Sequence, residues 1–268
     1  MTTLDGQVAV LTGGGGVLCT AIADGLAEAG ATVVLLDLDE QKAKHALEIA
    51  IGKTGEGLAL HGSVLNRHDL EAAANEVLER YGRVDILING AGGNHPQATT
   101  GPDHTFFDLP EDSVRFVFDL NFLGTLLPSQ VFGKVMAQRK QGVILNIASM
   151  NALRPLTRIP AYSAAKAAVA NFTQWLAVHM SQNVSSRIRV NAIAPGFFLT
   201  EQNRFLLEKE GGQLTERGQL ILDHTPMARF GDPRDLIGTV LWLVSSDAEF
   251  VHGIVVPIDG GFSAYSGV

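Results

Sequence analysis

VAVLTGGGGVLCTAIADGLA, Val8 to Ala27, is the stretch that decides the fold. The apolar run Val8–Leu11 reads as a short strand. Thr12 and the glycines 13–16 follow, and helical spacing takes over from Ala21. A glycine-rich turn between a strand and a helix suits a phosphate. Glycine lets the backbone come close, and the helix N-terminus offers N–H donors. Gly13, Gly15, Gly16, Val17 and Leu18 are the candidate contacts. A plain tight turn is the alternative, and the residues further along decide between them.

The next strand, Val33–Leu36, ends in Asp37. A carboxylate there accepts hydrogen bonds from both ribose hydroxyls of a dinucleotide and repels a 2′-phosphate. Neither Gly16 nor Leu38 offers a cation to welcome that phosphate, so NAD(H) is expected over its phosphorylated form.

The same alternation continues to the end of the chain. Further strands are expected at Gly57–His61, Val84–Asn89, Gly142–Ala148, Arg187–Ala194 and Ile254–Ile258, with helices at Asp69–Tyr81, Ser163–Met180 and Pro233–Val244. The strands are short, continuous and rich in Val, Ile and Leu, the pattern of a parallel sheet covered on both faces. The expected architecture is α/β: a doubly wound parallel sheet of about seven strands with helices on both faces. No linker, repeat or low-complexity block divides residues 1–268, so one domain is expected. Two irregular stretches, 92–110 and 197–230, begin where strands end, the edge at which such sheets bind ligands.

Composition narrows the function. A net charge of −8 argues against nucleic-acid binding, which needs a basic face. No apolar run is long enough for a membrane span, and the N-terminus lacks the pattern of a signal peptide. One cysteine leaves no internal disulfide and fits the cytoplasm. The eight histidines show no ligand-like spacing, so no metal is expected. Cys19 reads as a small buried packing residue; a thiol activated by the helix N-terminus is the minor alternative.

Tyr162 and Lys166 stand four apart and share a helix face. A neighbouring ammonium favours the phenolate, so Tyr162 is expected to exchange a proton nearer neutral pH. Ser149 closes the strand ending Asn146-Ile147-Ala148 and would place its hydroxyl at the same edge. Asn121 is a lone amide among Phe116, Val117, Phe118, Leu120 and Phe122. A buried amide must find partners, and a water leading to Lys166 is one candidate.

These residues together resemble the short-chain dehydrogenase/reductase family over essentially the whole chain. Asn121, Ser149, Tyr162 and Lys166 match its catalytic tetrad in order and spacing. Asn89-Gly90-Ala91-Gly92 resembles its N-N-A-G, with Gly90 in place of an Asn. Pro195-Gly196 with Thr200 resembles the segment flanking the nicotinamide, and Asp259-Gly260-Gly261 the motif after the last strand. Two departures stand out. Val17 and Cys19 replace glycines of T-G-x-x-x-G-x-G, and Ser63-Val64 replaces an Asp-Val pair that contacts adenine. The resemblance implies a Rossmann fold, a homotetramer and direct hydride transfer between NAD(H) and a carbonyl. In it Ser149 holds the substrate oxygen, Tyr162 moves the proton, Lys166 lowers the tyrosine pKa and holds the ribose, and Asn121 orders a relay water.

Fold and tetrad do not choose a substrate. The stretches around them supply Asn94, His95, Asn151, Arg154, Arg158, Gln202, Asn203 and Arg204. That polar, basic inventory suits a hydroxylated carboxylate, because arginine binds carboxylates bidentately. The segments GGGGVLC, INGAGGNHP, FDLNFLGTLLPSQVF, IAPGFFLTEQNR, HTPMARFG and VVPIDGGFSAYSGV also resemble the short-chain-type D-mannonate oxidoreductases, or fructuronate reductases. That narrower resemblance implies interconversion of D-fructuronate and D-mannonate. The alternatives are a gluconate 5-dehydrogenase-like enzyme, a 3-oxoacyl thioester reductase, or a non-catalytic NAD-binding sensor. The apolar tail Phe262–Val268 is expected to pack on a neighbour or close a neighbouring site.

Overall fold

A computed structural model of the protein describes residues 3–52, 56–200, 204–209 and 211–267. Within them, seven strands form one parallel sheet in the order β3-β2-β1-β4-β5-β6-β7. They are β1 Val8–Thr12, β2 Thr32–Asp37, β3 Gly57–His61, β4 Ile86–Asn89, β5 Gly142–Ile147, β6 Ile188–Pro195 and β7 Val255–Ile258. The order reverses between β1 and β4, which pair from Ala9↔Ile86 to Thr12↔Asn89. The crevice at that reversal is where ligands of such sheets bind.

The strands read as continuous apolar runs because both faces are covered. In β1, Ala9 and Leu11 pack under helices α1 (Val17–Glu28) and α2 (Glu40–Ile51). Val8 and Val10 face the other way, toward α3 (Arg67–Tyr81), α5 (Gly124–Arg139) and α6 (Pro160–Asn183). Alternation along the strand thus feeds two cores. The last helix, α9 (Ile237–Val244), joins the α1 side and is preceded by a 3₁₀ turn, Pro233–Leu236.

Helix ends follow their local sequences. Asn66 caps α3 by accepting the His68 N–H at 2.9 Å, and Gly82 closes it at φ +71°. Pro160 occupies the first turn of α6, where its missing N–H costs nothing. Between α4 (Glu111–Phe118) and α5 the chain makes a π-helical turn, Asp119–Leu123, which carries Asn121. The stretch 92–110 contains short 3₁₀ turns at Pro96–Ala98 and Phe106–Asp108. The stretch 197–230 is more ordered than its sequence implies, holding α7 (Arg204–Leu207) and α8 (Glu216–Asp223). Among the described residues no helix is long and apolar enough to cross a membrane.

Candidate active site

The glycine turn leaves β1 at Thr12, whose buried hydroxyl accepts the N–H groups of Gly90 and Ala91 at 3.2 and 3.3 Å. That ties the turn to the segment after β4. Gly13 has φ +64°, and a Cβ on it would lie 2.8 Å from the Ala91 backbone. Only glycine serves there, on conformation and on space. The Gly15 N–H donates to Asp37 Oδ2 at 3.0 Å, and the Asp39 N–H donates to Oδ1 at 2.9 Å. Asp37 therefore already braces the turn from the end of β2. Gly13, Gly16, Val17, Leu18, Gly92, Gly196 and Thr200 line one cleft of about 280 Å³.

The two unusual residues of this region touch each other. A Cβ on Gly90 would sit 2.2 Å from the Cys19 sulfur and 2.8 Å from the Thr12 carbonyl oxygen. The sulfur fills the space that a side chain at 90 would need. Burial, reinforced by Asp37, pushes the Cys19 thiol up to about 12. That removes the activated-thiol alternative: at neutral pH the group is a thiol packed in the core.

Other expected cofactor contacts lie around this cleft or behind it. Asn89 sits below the floor, its amide donating to Ser129 Oγ at 2.9 Å and Asn146 Oδ1 at 2.8 Å. Ser63 is held by its neighbours: its N–H donates to Asp69 Oδ2 at 2.9 Å, and its hydroxyl accepts the Leu65 N–H at 3.2 Å. Val64 is buried against the start of α5, where a Cβ on Gly124 would approach its Cγ2 to 3.0 Å. Gly196 follows Pro195, the last residue of β6, and its N–H donates to the Ile258 carbonyl at 2.9 Å.

Ser149, Tyr162 and Lys166 converge at the edge of the same cleft. Tyr162 and Lys166 stand one turn apart on α6, with the ammonium 5.7 Å from the tyrosine ring centroid. Lys166 Nζ donates to the Ile147 carbonyl at 2.8 Å, and burial pulls its pKa from 10.5 down to about 8. Tyr162 departs from expectation. Burial raises its pKa, and the offset comes from its hydrogen bond with Ser149. Desolvation of the phenolate outweighs that interaction here.

Asn121 is fully buried, and its amide does not wait for a water. Nδ2 donates to the carbonyls of Gly93 and Val117, both at 2.7 Å, and Oδ1 accepts the Gly93 N–H at 3.2 Å. It clamps the segment after β4 to the π-helical turn. A Cβ on Gly92 would lie 2.6 Å from Asn121 Oδ1 and 3.1 Å from Lys166 Nζ, so both polar atoms face that glycine.

Asn151, a candidate substrate contact, is held against Ser149. It is buried, and its backbone N–H and Nδ2 both donate to Ser149 Oγ, at 3.2 and 3.1 Å. Its Oδ1 accepts from the Leu156 N–H and the Ser163 hydroxyl, both at 3.2 Å. With two donors already on its oxygen, the Ser149 hydroxyl proton points away from Asn151.

The remaining candidates separate. Asn94 donates to Thr99 Oγ1 at 2.8 Å, and His95 accepts the Gln97 N–H at 3.2 Å; both brace their own loop. Arg154 donates to the Ser263 carbonyl at 3.2 Å, and Arg204 is paired with Glu208. Gln202 and Asn203 lie outside the described residues. Arg158 lines a second cavity together with Arg217, which the sequence reading missed. A signal for Arg217 existed: it is a cation in the first turn of α8, where the helix dipole favours carboxylates. The tail folds back onto this region of its own chain, with Phe262 edge-on to Phe197 at 5.2 Å and to His224 at 4.9 Å.

Comparison with known proteins agrees with this geometry. A short-chain dehydrogenase family model, described as enoyl-(acyl carrier protein) reductase, matches residues 17–263. The uncharacterized oxidoreductase UxuB of Bacillus subtilis is 48% identical over 274 residues, covering 99% of this chain and 98% of that protein. A crystal structure from Haemophilus influenza, provisionally described as a D-mannonate oxidoreductase and solved with bound NAD, is 46% identical. It superposes with a TM-score of 0.93 over 100% of this chain and 98% of the other. From Escherichia coli K12, a 7alpha-hydroxysteroid dehydrogenase is 32% identical (96% of this chain, 94% of that protein). A 5-keto-D-gluconate 5-reductase of the same strain is 31% identical (97% and 96%). This chain belongs to the short-chain dehydrogenase/reductase family and is an oxidoreductase of alcohol and ketone groups.

Proposed function

We propose that the protein interconverts D-fructuronate and D-mannonate with NAD(H), and that Ser149, Tyr162 and Lys166 carry the proton chemistry. The observation that carries this reading is the buried Lys166, fixed on the Ile147 carbonyl with its ammonium 5.7 Å from the Tyr162 ring centroid and facing Gly92 of the glycine-lined cleft. The cleft fits the dinucleotide. Gly13 leaves its wall bare of a Cβ, the N-terminus of α1 faces it, and Asp37 stands at the end of β2 for the ribose. Gly15, Gly16, Val17, Leu18, Ser63, Val64, Asn89, Ala91, Gly92, Pro195, Gly196 and Thr200 complete the proposed surround. The nicotinamide supplies or accepts the hydride when bound.

The protein's own part is to bind the carbonyl oxygen and move one proton. Asn151 donates twice to Ser149 Oγ, so the serine proton is free to serve the Tyr162 oxygen or the substrate oxygen. Burial keeps Tyr162 protonated at neutral pH, the state a proton donor to a ketone needs. Lys166, fixed on the Ile147 carbonyl, brings a positive charge beside the phenol and stabilises it once the proton has left. Asn121 joins the two segments that frame the site.

A sugar acid as substrate is supported by the bound-NAD relative described as a D-mannonate oxidoreductase and by the arginines in the cavity beside the cleft. We further propose a cytoplasmic homotetramer. Phe116, Phe118, Trp175 and Val178 leave exposed apolar surface on α4 and α6, and ring contacts run from Phe118 through Phe122 and Phe172 to Trp175. Such patches mark protein contacts.

The test is NADH oxidation by purified protein with D-fructuronate, beside D-fructose and an acetoacetyl thioester. Turnover with fructuronate is expected, and Tyr162→Phe should abolish it while NADH still binds. Turnover of the thioester without fructuronate would overturn the substrate assignment.

A further inference from the structure

Beside the reaction cleft lies a cavity of about 500 Å³ walled by Leu156, Phe197, Leu220 and Phe262, into which Arg158 and Arg217 both project. Phe197 is shared with the glycine-lined cleft, so the two spaces adjoin. The cavity is also coupled to Ser149. Asn151, which holds the serine oxygen, accepts the Leu156 N–H that begins the cavity wall.

Arg217 occupies a costly position. It is half-buried, it sits in the first turn of a helix, and it shares the cavity with a second guanidinium. Burial lowers its pKa from the ordinary arginine value, and the like charge of Arg158 acts in the same direction. Among the described residues neither arginine has a carboxylate within ion-pair distance; Glu216 lines the same cavity but pairs with neither. His224, also in the wall, is turned edge-on to Phe262 and Tyr265. Two guanidiniums, Arg217 half-buried and Arg158 exposed, thus share a cavity with apolar walls and no described carboxylate partner, an arrangement that favours binding an anion.

We propose that Arg158 and Arg217 form the clamp for the substrate carboxylate, holding it apart from the reacting ketone. The inference rests on the sugar-acid reading for the identity of the anion. It deepens that reading because it sets where the charge lies. A 2-oxo acid would need a cation beside Ser149, and Lys166 there is already fixed on the Ile147 carbonyl. D-Fructuronate carries its ketone and carboxylate near opposite ends of its carbon chain. The arginine cavity adjoins the reaction cleft through Phe197 without containing Ser149 or Tyr162, so the two ends would lie in separate spaces.

The experiment is steady-state kinetics of Arg217→Gln, Arg158→Gln and Arg217→Lys with D-fructuronate and, separately, NADH. Each Gln variant should raise KM for fructuronate on the order of tenfold or more, the scale of a lost charge-assisted hydrogen bond. KM for NADH should not move, and the Lys variant should recover part of the loss. An unchanged fructuronate KM in Arg217→Gln would overturn the clamp while leaving the sugar-acid reading intact. Should the unaltered enzyme not reduce fructuronate, calorimetric titration of the NADH-loaded protein with D-gluconate separates the two. Saturable binding that disappears in Arg217→Gln upholds the clamp and discards only the substrate, whereas no binding to the unaltered protein discards both.

Discussion

Replacing Lys166 by Met should make the protein more stable at neutral pH while removing its activity. The side chains are similar in length, and the position is almost wholly buried, at 4% exposure. Burial drags the ammonium from 10.5 to about 8. At about 1.4 kcal/mol for each pH unit, holding the charge inside costs roughly 3 kcal/mol. The methionine leaves the Ile147 carbonyl without its donor, a loss of about 1 kcal/mol. A net gain of roughly 2 kcal/mol remains, or about 4–8 °C in Tm for a domain of this size. The pH dependence has a fixed sign. Below about 8 the lysine is charged in both folded and unfolded chains, and the folded state bears the full penalty. Between about 8 and 10.5 the unfolded chain binds the extra proton, so the unaltered protein gains stability as pH rises. The advantage of Lys166→Met should therefore be full at pH 7 and gone above 10.5. Urea midpoints at pH 7 and pH 10, at one fixed protein concentration, measure it. A variant less stable at pH 7, or one whose advantage is the same at both pH values, refutes the reasoning.

Four further substitutions probe neighbouring parts of the site. Asn151→Ala frees the Ser149 hydroxyl to turn and should lower kcat about tenfold without changing NADH affinity, with the pH–rate profile displaced; an unaltered profile would reduce Asn151 to packing. Gly90→Ala drives a methyl into the Cys19 sulfur and should destabilise by about 1–3 kcal/mol in urea unfolding. Cys19→Gly in the same chain should return at least about 0.5 kcal/mol of that, and strict additivity would break the link between the two positions. Asp37→Ser removes the carboxylate that opposes a 2′-phosphate and should shift the NADH-to-NADPH ratio of kcat/KM toward NADPH about tenfold or more; an unchanged ratio would assign Asp37 to bracing Gly15 alone.

The sheet was legible in the sequence because burial on both faces leaves a simple signature. Val33–Leu36 is entirely buried, and its uninterrupted apolar run says so. The errors fall at strand ends, where the apolar run and the ladder stop at different residues. Val84 is buried, yet β4 starts only at Ile86, because Asp85 between them turns to accept the Val8 N–H and to pair with Arg83 and Arg139. The π-helical turn at Asp119–Leu123 was invisible because one extra residue per turn hardly disturbs an apolar pattern. Tyr162 and Lys166 could be paired from spacing alone, since a single helix sets their distance. Arg158 and Arg217 could not, because they meet only when the segments after β5 and β6 fold over the same edge. Burial at Tyr162 is hidden for a related reason: sequence shows the neighbouring charge and not the desolvation that raises the tyrosine pKa.

The glycine turn shows how a motif can change its letters and keep its chemistry. Cys19 in place of a glycine and Gly90 in place of an asparagine look like two losses when the motifs are read one at a time. In space they are one exchange, with the sulfur of one residue occupying the volume given up by the other. The match to the family model begins at Val17, leaving the glycines outside it. Yet the parts that serve an anion there are backbone atoms: the N–H groups at the start of α1, the positive φ of Gly13 and the Thr12 hydroxyl tying the turn to Gly90 and Ala91. None of these depends on a glycine at 17 or 19. The turn depends instead on how Cys19 and Gly90 pack together in the wall of the cleft, which makes that pair the place where a change in either letter must be answered by the other.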